Sequence, residues 1–283
     1  MGITFSDITK NTDKLSELLN EPHQNNRHDI WLWLHLNYDH DAKLPYESCN
    51  SETMRSEIAW FLKPERSLID SIPSERARLL LPEIYLHWIG YDARQHEWLR
   101  PKIRKMTGRH LSRRLVHLTG RDRLIAMIDH WDKDVADKAN EVEELRDDWL
   151  RHISKDSEFE WFADKKESTK RCVCAWEWLE RNYLRPRSLQ TPISNYQELL
   201  IFFDHEDISR SERAVMIREI KRRWNRKQFD ERTADKKQVN VMLSKSVITQ
   251  LDELAKKHGL KRAQIIERLV KMEADAGVYL SDK

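Results

Sequence analysis

Twelve histidines and forty-eight acids in 283 residues leave ample material for acid–base or metal chemistry, so their spacing is the first question. His28, His35 and His40 fall in HDIWLWLHLNYDHD, with His28 and His35 two helical turns apart. Glu83 and His87, and Asp148 and His152, are each one turn apart on a helix face. None of these forms the Glu-x-x-His pairs of carboxylate-bridged metal bundles or an HExxH zinc site. A lone acid–histidine pair one turn apart reads as a surface hydrogen bond. No GxSxG nucleophile elbow and no GxGxxG or GxxxxGK[ST] phosphate cradle is present. Cys172 and Cys174 form a CxC on an expected helix, where residues two apart point to different faces, which is poor geometry for one metal. With Cys49 they read as small buried apolar groups, and an odd, sparse count is no disulfide framework. The expectation is therefore a protein that is not an enzyme and holds no metal or cofactor.

Chemistry of another kind gathers near the C-terminus. Lys221, Arg222, Arg223, Arg226 and Lys227 lie within seven residues of an expected helix, spread around most of its circumference, with Trp224 available for packing. Such a run can hold phosphates. Shortly afterwards Val239, Val241 and Leu243 alternate with Gln238, Asn240 and Met242, a period of two that predicts a strand. Its apolar face turns inward, leaving Gln238, Asn240 and Met242 outward. Gln and Asn amides can read adenine edges bidentately in the major groove, and Met offers an apolar contact.

The elements that must position these residues follow from composition and periodicity. Charged residues make up 35% and apolar ones 39%, with only six Gly and eight Pro, which is a helix-rich signature. Eleven Trp residues exclude a disordered chain. Trp31, Trp33, Trp88, Trp98, Trp176 and Trp178 recur beside Leu, Ile and Val, so core packing is the expected use rather than base stacking. Helices are predicted over roughly 7–20, 27–39, 51–62, 74–90, 92–107, 109–119, 168–184, 193–206 and 209–229. A single long helix is predicted over 121–153, with Lys138 the one polar intruder on its apolar stripe. Ser209 and Glu212 have capping-box spacing.

All prolines lie at or before Pro192 and all tryptophans at or before Trp224, so composition shifts near 190–230. From Arg210 onward nineteen Lys or Arg face eleven Asp or Glu, a net of +8; the total of +2 leaves −6 for the first 209 residues. A basic end on an acidic body points to a polyanion partner. The domains read as a helical bundle over 1–206, a basic helix and linker over 207–235, and a small unit over 236–283. In that last unit Ser244 can cap a helix through Val247, Ile248, Leu251 and Leu254, Gly259 stops it, and a second helix carries Ile265, Ile266, Leu269, Val270 and Met272. A lone strand leaves both edges unpaired and about 45 residues bury little surface, so the unit needs a second copy of itself. No apolar run approaches the roughly 18–20 residues that span a bilayer, and the start lacks a signal-peptide core, so a cytoplasmic protein without a membrane partner is expected.

The stretch KKQVNVMLSKSVITQLDELAKKHGLKRAQIIERLV resembles the ribbon-helix-helix family. That resemblance implies two chains pairing strands into a ribbon that enters the DNA major groove, with the helices forming the dimer core. It also implies a phosphate clamp at the second helix's N-terminus, which falls here on Lys261 and Arg262 where Ser or Thr is more usual. Over roughly residues 207–275 the run IREIKRRWNRKQFDERTADKKQVNV is similar to the MatP family, organisers of the bacterial replication terminus. The chain departs from that family in its first two hundred residues and in lacking the family's C-terminal coiled-coil extension.

The expected fold is thus mostly α, an N-terminal multi-helix bundle followed by a ribbon-helix-helix. The expected function is sequence-specific binding of double-stranded DNA by a nucleoid-associated homodimer, of the chromosome- or replicon-organising kind. Gln238, Asn240 and Met242 would read bases; Lys221, Arg222, Arg223, Arg226, Lys227, Lys236, Lys237, Lys261 and Arg262 would hold phosphates. A transcriptional regulator, repressor or antitoxin-like, is the first alternative. A helical scaffold or enzyme using the C-terminal unit only to dimerise is the second. The N-terminal domain would be free to bind a protein partner.

Overall fold

The computed structural model describes residues 13–183, 191–206, 208–234, 237 and 239–280. It is mostly α-helical. In chain order the helices are α1 (Lys14–Leu19), α2 (Asn26–Asp39), α3 (Met54–Leu62), α4 (Arg66–Leu79), α5 (Ala93–Thr107), α6 (Gly120–Asp129), α7 (Val135–Ile153), α8 (Ser168–Asn182), α9 (Tyr196–His205), α10 (Arg210–Arg232), α11 (Lys245–His258) and α12 (Arg262–Ala276). Short 3-10 segments lie at Tyr46–Ser48, Glu83–Tyr85 and Ser154–Ala163. The chain divides into two compact units at Asn225/Arg226, inside α10.

The N-terminal unit holds two apolar clusters. The first gathers α1 through α7 around Trp31, Trp33, Leu34, Ile58, Leu99 and Ile128. Trp33 is fully buried and satisfies its indole N–H on Ser48 Oγ at 2.9 Å, as a buried Trp must. The second cluster packs the 154–163 segment, α8, α9 and the first half of α10 through Phe162, Cys172, Leu199, Phe203 and Ile220. All three cysteines are buried and none is in a disulfide. Burial pushes the Cys49 thiol up to about 12 and Cys172 up to about 11, so neither is a ready nucleophile.

Several helices begin where a side chain caps them. Asn25, Asp92 and Asn195 accept from the backbone N–H groups of His28, Gln95 and Glu198 respectively. Ser209 and Glu212 satisfy each other's backbone N–H at the start of α10, so the expected capping box is formed.

Four expectations are corrected. The long helix over 121–153 is two helices, broken at His130–Asp134, and the break has a purpose that the apolar stripe concealed. Lys138, fully buried, donates Nζ to the carbonyls of Leu79 (2.6 Å) and Asp129 (3.1 Å), so it ties α7 to the free ends of α4 and α6. Burial lowers its pKa to about 8, against the opposing pull of Asp129. The helix expected over 74–90 instead spans Arg66–Leu79, with Pro73 inside it. Residues 109–119 form turns rather than a helix, because Arg123 gathers the carbonyls of Leu111, Ser112 and Leu118. Finally, the described residues of 238–243 form no strand: a single chain offers that segment no ladder partner. The part of the 7–20 helix before Asp13 lies outside the described residues.

Candidate nucleic-acid interface

The basic segment of α10 sits on a helix whose first half is anchored by Ile217, Ile220 and Trp224, all buried. Trp224 meets Trp161 edge-on at 6.4 Å. That anchoring divides the five basic side chains. Arg223 points back to the bundle and pairs with Glu177 of α8 at 2.9 Å. Lys221 is half-buried, with Nζ 5.5 Å from the Trp161 ring centre. Arg222, Arg226 and Lys227 are exposed. Arg222 lies 3.9 Å from Glu219, a loose surface pair that contributes little. A phosphate backbone along α10 would therefore meet Arg222, Arg226 and Lys227 first.

In the C-terminal unit α11 and α12 pack on each other as a helical hairpin turned at Gly259, whose φ of +63° is the left-handed conformation a helix C-cap requires. Ser244 caps α11 through Val247 N–H. At α12, Lys261 occupies the N-cap and Gln264 Oε1 accepts its backbone N–H at 2.9 Å. The Lys ammonium has no lone pair to accept a bond, so the amides of the first turn keep their capacity for an anion. Arg262 is held by Asp252 of α11 through two bonds, one of 2.6 Å, and its guanidinium depresses the Asp252 carboxyl. Of the two clamp residues, Lys261 stays open and Arg262 is engaged within the hairpin.

Asn240 and Met242 are exposed, Met242 completely. Lys237 is exposed as well, whereas Lys236 and Gln238 lie outside the described residues. The apolar side chains meant to face inward are also exposed: Val239 at 72%, Val241 at 67% and Leu243 at 40%. So are Val247, Ile248, Ile266, Leu269, Val270 and Met272 on the two helices, and among the described residues of this unit only Leu251 and Ile265 are buried.

The acid–histidine pairs resolve differently. Asp148 pairs with Arg151, while His152 turns to Asp204 of α9 at 2.8 Å; Glu83 pairs with Arg27 and Arg121 rather than with His87. His35 and Asp39 do meet, at 2.9 Å, and His40 approaches His35 at 3.1 Å beneath Trp31. Among the described residues no group of three or more His, Cys, Asp or Glu is arranged to hold a metal ion. No described helix is long and apolar enough to cross a membrane. Sequence reading missed a second cationic surface, in the N-terminal unit. The signal was local: residues 100–123 hold nine Lys or Arg against the single acid Asp122, an excess hidden by averaging over 209 residues.

Comparison with known proteins adds one finding to this geometry. A family model described as "Replication regulatory protein RepB" matches residues 205–272, from the end of α9 through most of α12. No curated protein and no solved structure matches. The matched segment takes in the whole of α10 and α11 and most of α12. The chain is thus similar, over this C-terminal quarter, to a replication regulator.

Proposed function

We propose that the chain binds double-stranded DNA as a homodimer to regulate replication, using residues 237–276 as a ribbon-helix-helix. The observation that carries this reading is the apolar face left open in the single chain. Val239, Val241, Leu243, Ile266, Leu269 and Val270 are all exposed in a unit whose described residues bury only Leu251 and Ile265. So many exposed large apolar side chains in so small a unit favour an interface. Period-two spacing in 239–243 supplies what a second identical chain would need to pair as a ribbon and cover the helices. Dimerisation would in turn present Asn240 and Met242 on the outer face. The similarity to a replication regulator over 205–272 supports replication control as the use of that binding.

Organisation of a chromosome or replicon, as in MatP, is the second reading, favoured by the basic helix that directly precedes the ribbon segment. Sedimentation of the full chain, with binding to fragments tiled across its own replicon, tests the proposal. A dimer that prefers a fragment at the replication origin is expected. A monomer, or a chain whose affinity is equal for every fragment, would overturn it. Sites scattered over the replicon would instead favour the organiser.

A further inference from the structure

The turns at 109–119 build a concave surface against α5 and the start of α6, a cleft of about 890 Å³. It is lined by Arg100, Arg104, Lys105, Arg109, Arg113 and Arg123, with Glu97 its one carboxylate. Its shape is held from behind. Gly108 takes φ +63° to end α5, Leu111, Leu115 and Leu118 are buried, and Arg123 fixes three carbonyls of the loop. Arg100 is bonded to Glu97 at 3.0 Å. None of Arg104, Lys105, Arg109 and Arg113 forms an ion pair among the described residues. The Arg123 pKa is lowered, first by burial and next by the charge of Arg100, so like charges crowd this cleft.

Charge distribution makes the crowding more telling. The 100–123 stretch carries +8 inside a 1–209 body of −6, so the rest of that body carries −14. A cationic cleft in an otherwise acidic body attracts a polyanion to one place. No Trp, Tyr or Phe lines it, so it lacks the stacking platforms that single-stranded nucleic acids require.

We infer that this cleft of the N-terminal unit is a second nucleic-acid site, gripping the phosphate backbone of duplex DNA without reading sequence. The cleft itself argues for a duplex backbone, and the choice of DNA over RNA rests on the function proposed above. Arg104, Lys105, Arg109 and Arg113 are the residues free to take phosphates, while Arg123 positions the loop that carries two of them.

The test uses the full chain, a short random-sequence duplex and the double variant Arg104→Glu/Arg113→Glu, both positions being exposed so that folding is preserved, as circular dichroism would confirm. Affinity for the duplex should fall on the order of tenfold, and the log–log salt slope should shrink by roughly 2, about 0.9 per lost phosphate. Unchanged affinity and slope would overturn the inference, as would a loss seen with duplex RNA but not DNA, or a loss confined to binding of polyglutamate. Asn240→Ala and Arg222→Ala separate this from the function proposed above. If they leave origin binding intact while the cleft variant weakens all duplexes, the C-terminal reading fails and the cleft stands; the reverse pattern overturns the cleft alone.

Discussion

The two units of this chain use similar amphipathic helices to opposite ends. In the N-terminal unit two apolar clusters are buried, and even charged groups are drawn inside with partners: Arg94 is bound by Asp156 and Asp204, and Lys138 by two carbonyls. In the C-terminal unit two helices close on Leu251 and Ile265 and leave Val247, Ile248, Ile266, Leu269, Val270 and Met272 exposed to water. Apolar periodicity is as clear in one as in the other. What differs is whether the single chain covers these apolar positions, and the dimer proposed above would supply the cover that the C-terminal unit lacks.

The largest test of that contrast is Arg94→Ala. Its guanidinium is nearly buried between Asp156 at 2.5 Å and Asp204 at 2.6 Å, so removal strips Asp156 of this partner and leaves the buried Asp204 with His152 alone. A loss of about 3–5 kcal/mol is expected in the N-terminal unit, read by chemical denaturation. Dimerisation should survive it; joint loss of both would blur the distinction between the units. Next, Val241→Asp should weaken the proposed dimer by about 2 kcal/mol or more, since a charge enters an interface built for apolar side chains. Sedimentation equilibrium would show it, and an unchanged dimer would mean that this face is not the contact.

A smaller effect distinguishes the units by pH. Burial, opposed by Asp39, lowers the His130 pKa from 6.5 to about 4. Between those values the unfolded chain holds a proton that the folded unit does not, so stability falls as pH drops through about 6.5 toward about 4 and is regained above. Thermal melts of His130→Gln should show a flatter acid dependence than the parent; identical profiles would remove His130 as the cause. Smallest of all is Asp252→Asn. Its pair with Arg262 is exposed and screened, so melting should not change measurably. A clear loss would show that the hairpin depends on that bond.

Legibility from the sequence tracked the distance to the deciding partner. α2, α5, α9 and α10 were readable because their caps and stripes are local, Asn25, Asp92, Asn195 and Ser209 standing at the starts. The break between α6 and α7 was not, because its cause is a bond from Lys138 to Leu79, fifty-nine residues away. The irregular path of 109–119 likewise depends on Arg123, whose bonds no periodicity reports. For the residues proposed to contact DNA, sequence showed which charges are present but not which are already engaged. Arg223 and Arg262 look the same as Arg222 and Lys261 until Glu177 and Asp252 are placed beside them.

The position of Trp224 at the end of the buried part of α10 has a practical consequence. All eleven tryptophans precede the division at Asn225/Arg226, and residues 226–283 contain none. Emission from the indoles therefore reports on one unit alone, whereas far-ultraviolet dichroism weighs both. A melt followed by the two signals would show, without labels or truncation, whether the C-terminal hairpin lets go before the bundle does, and protein dilution should move the dichroic transition while leaving the fluorescent one in place.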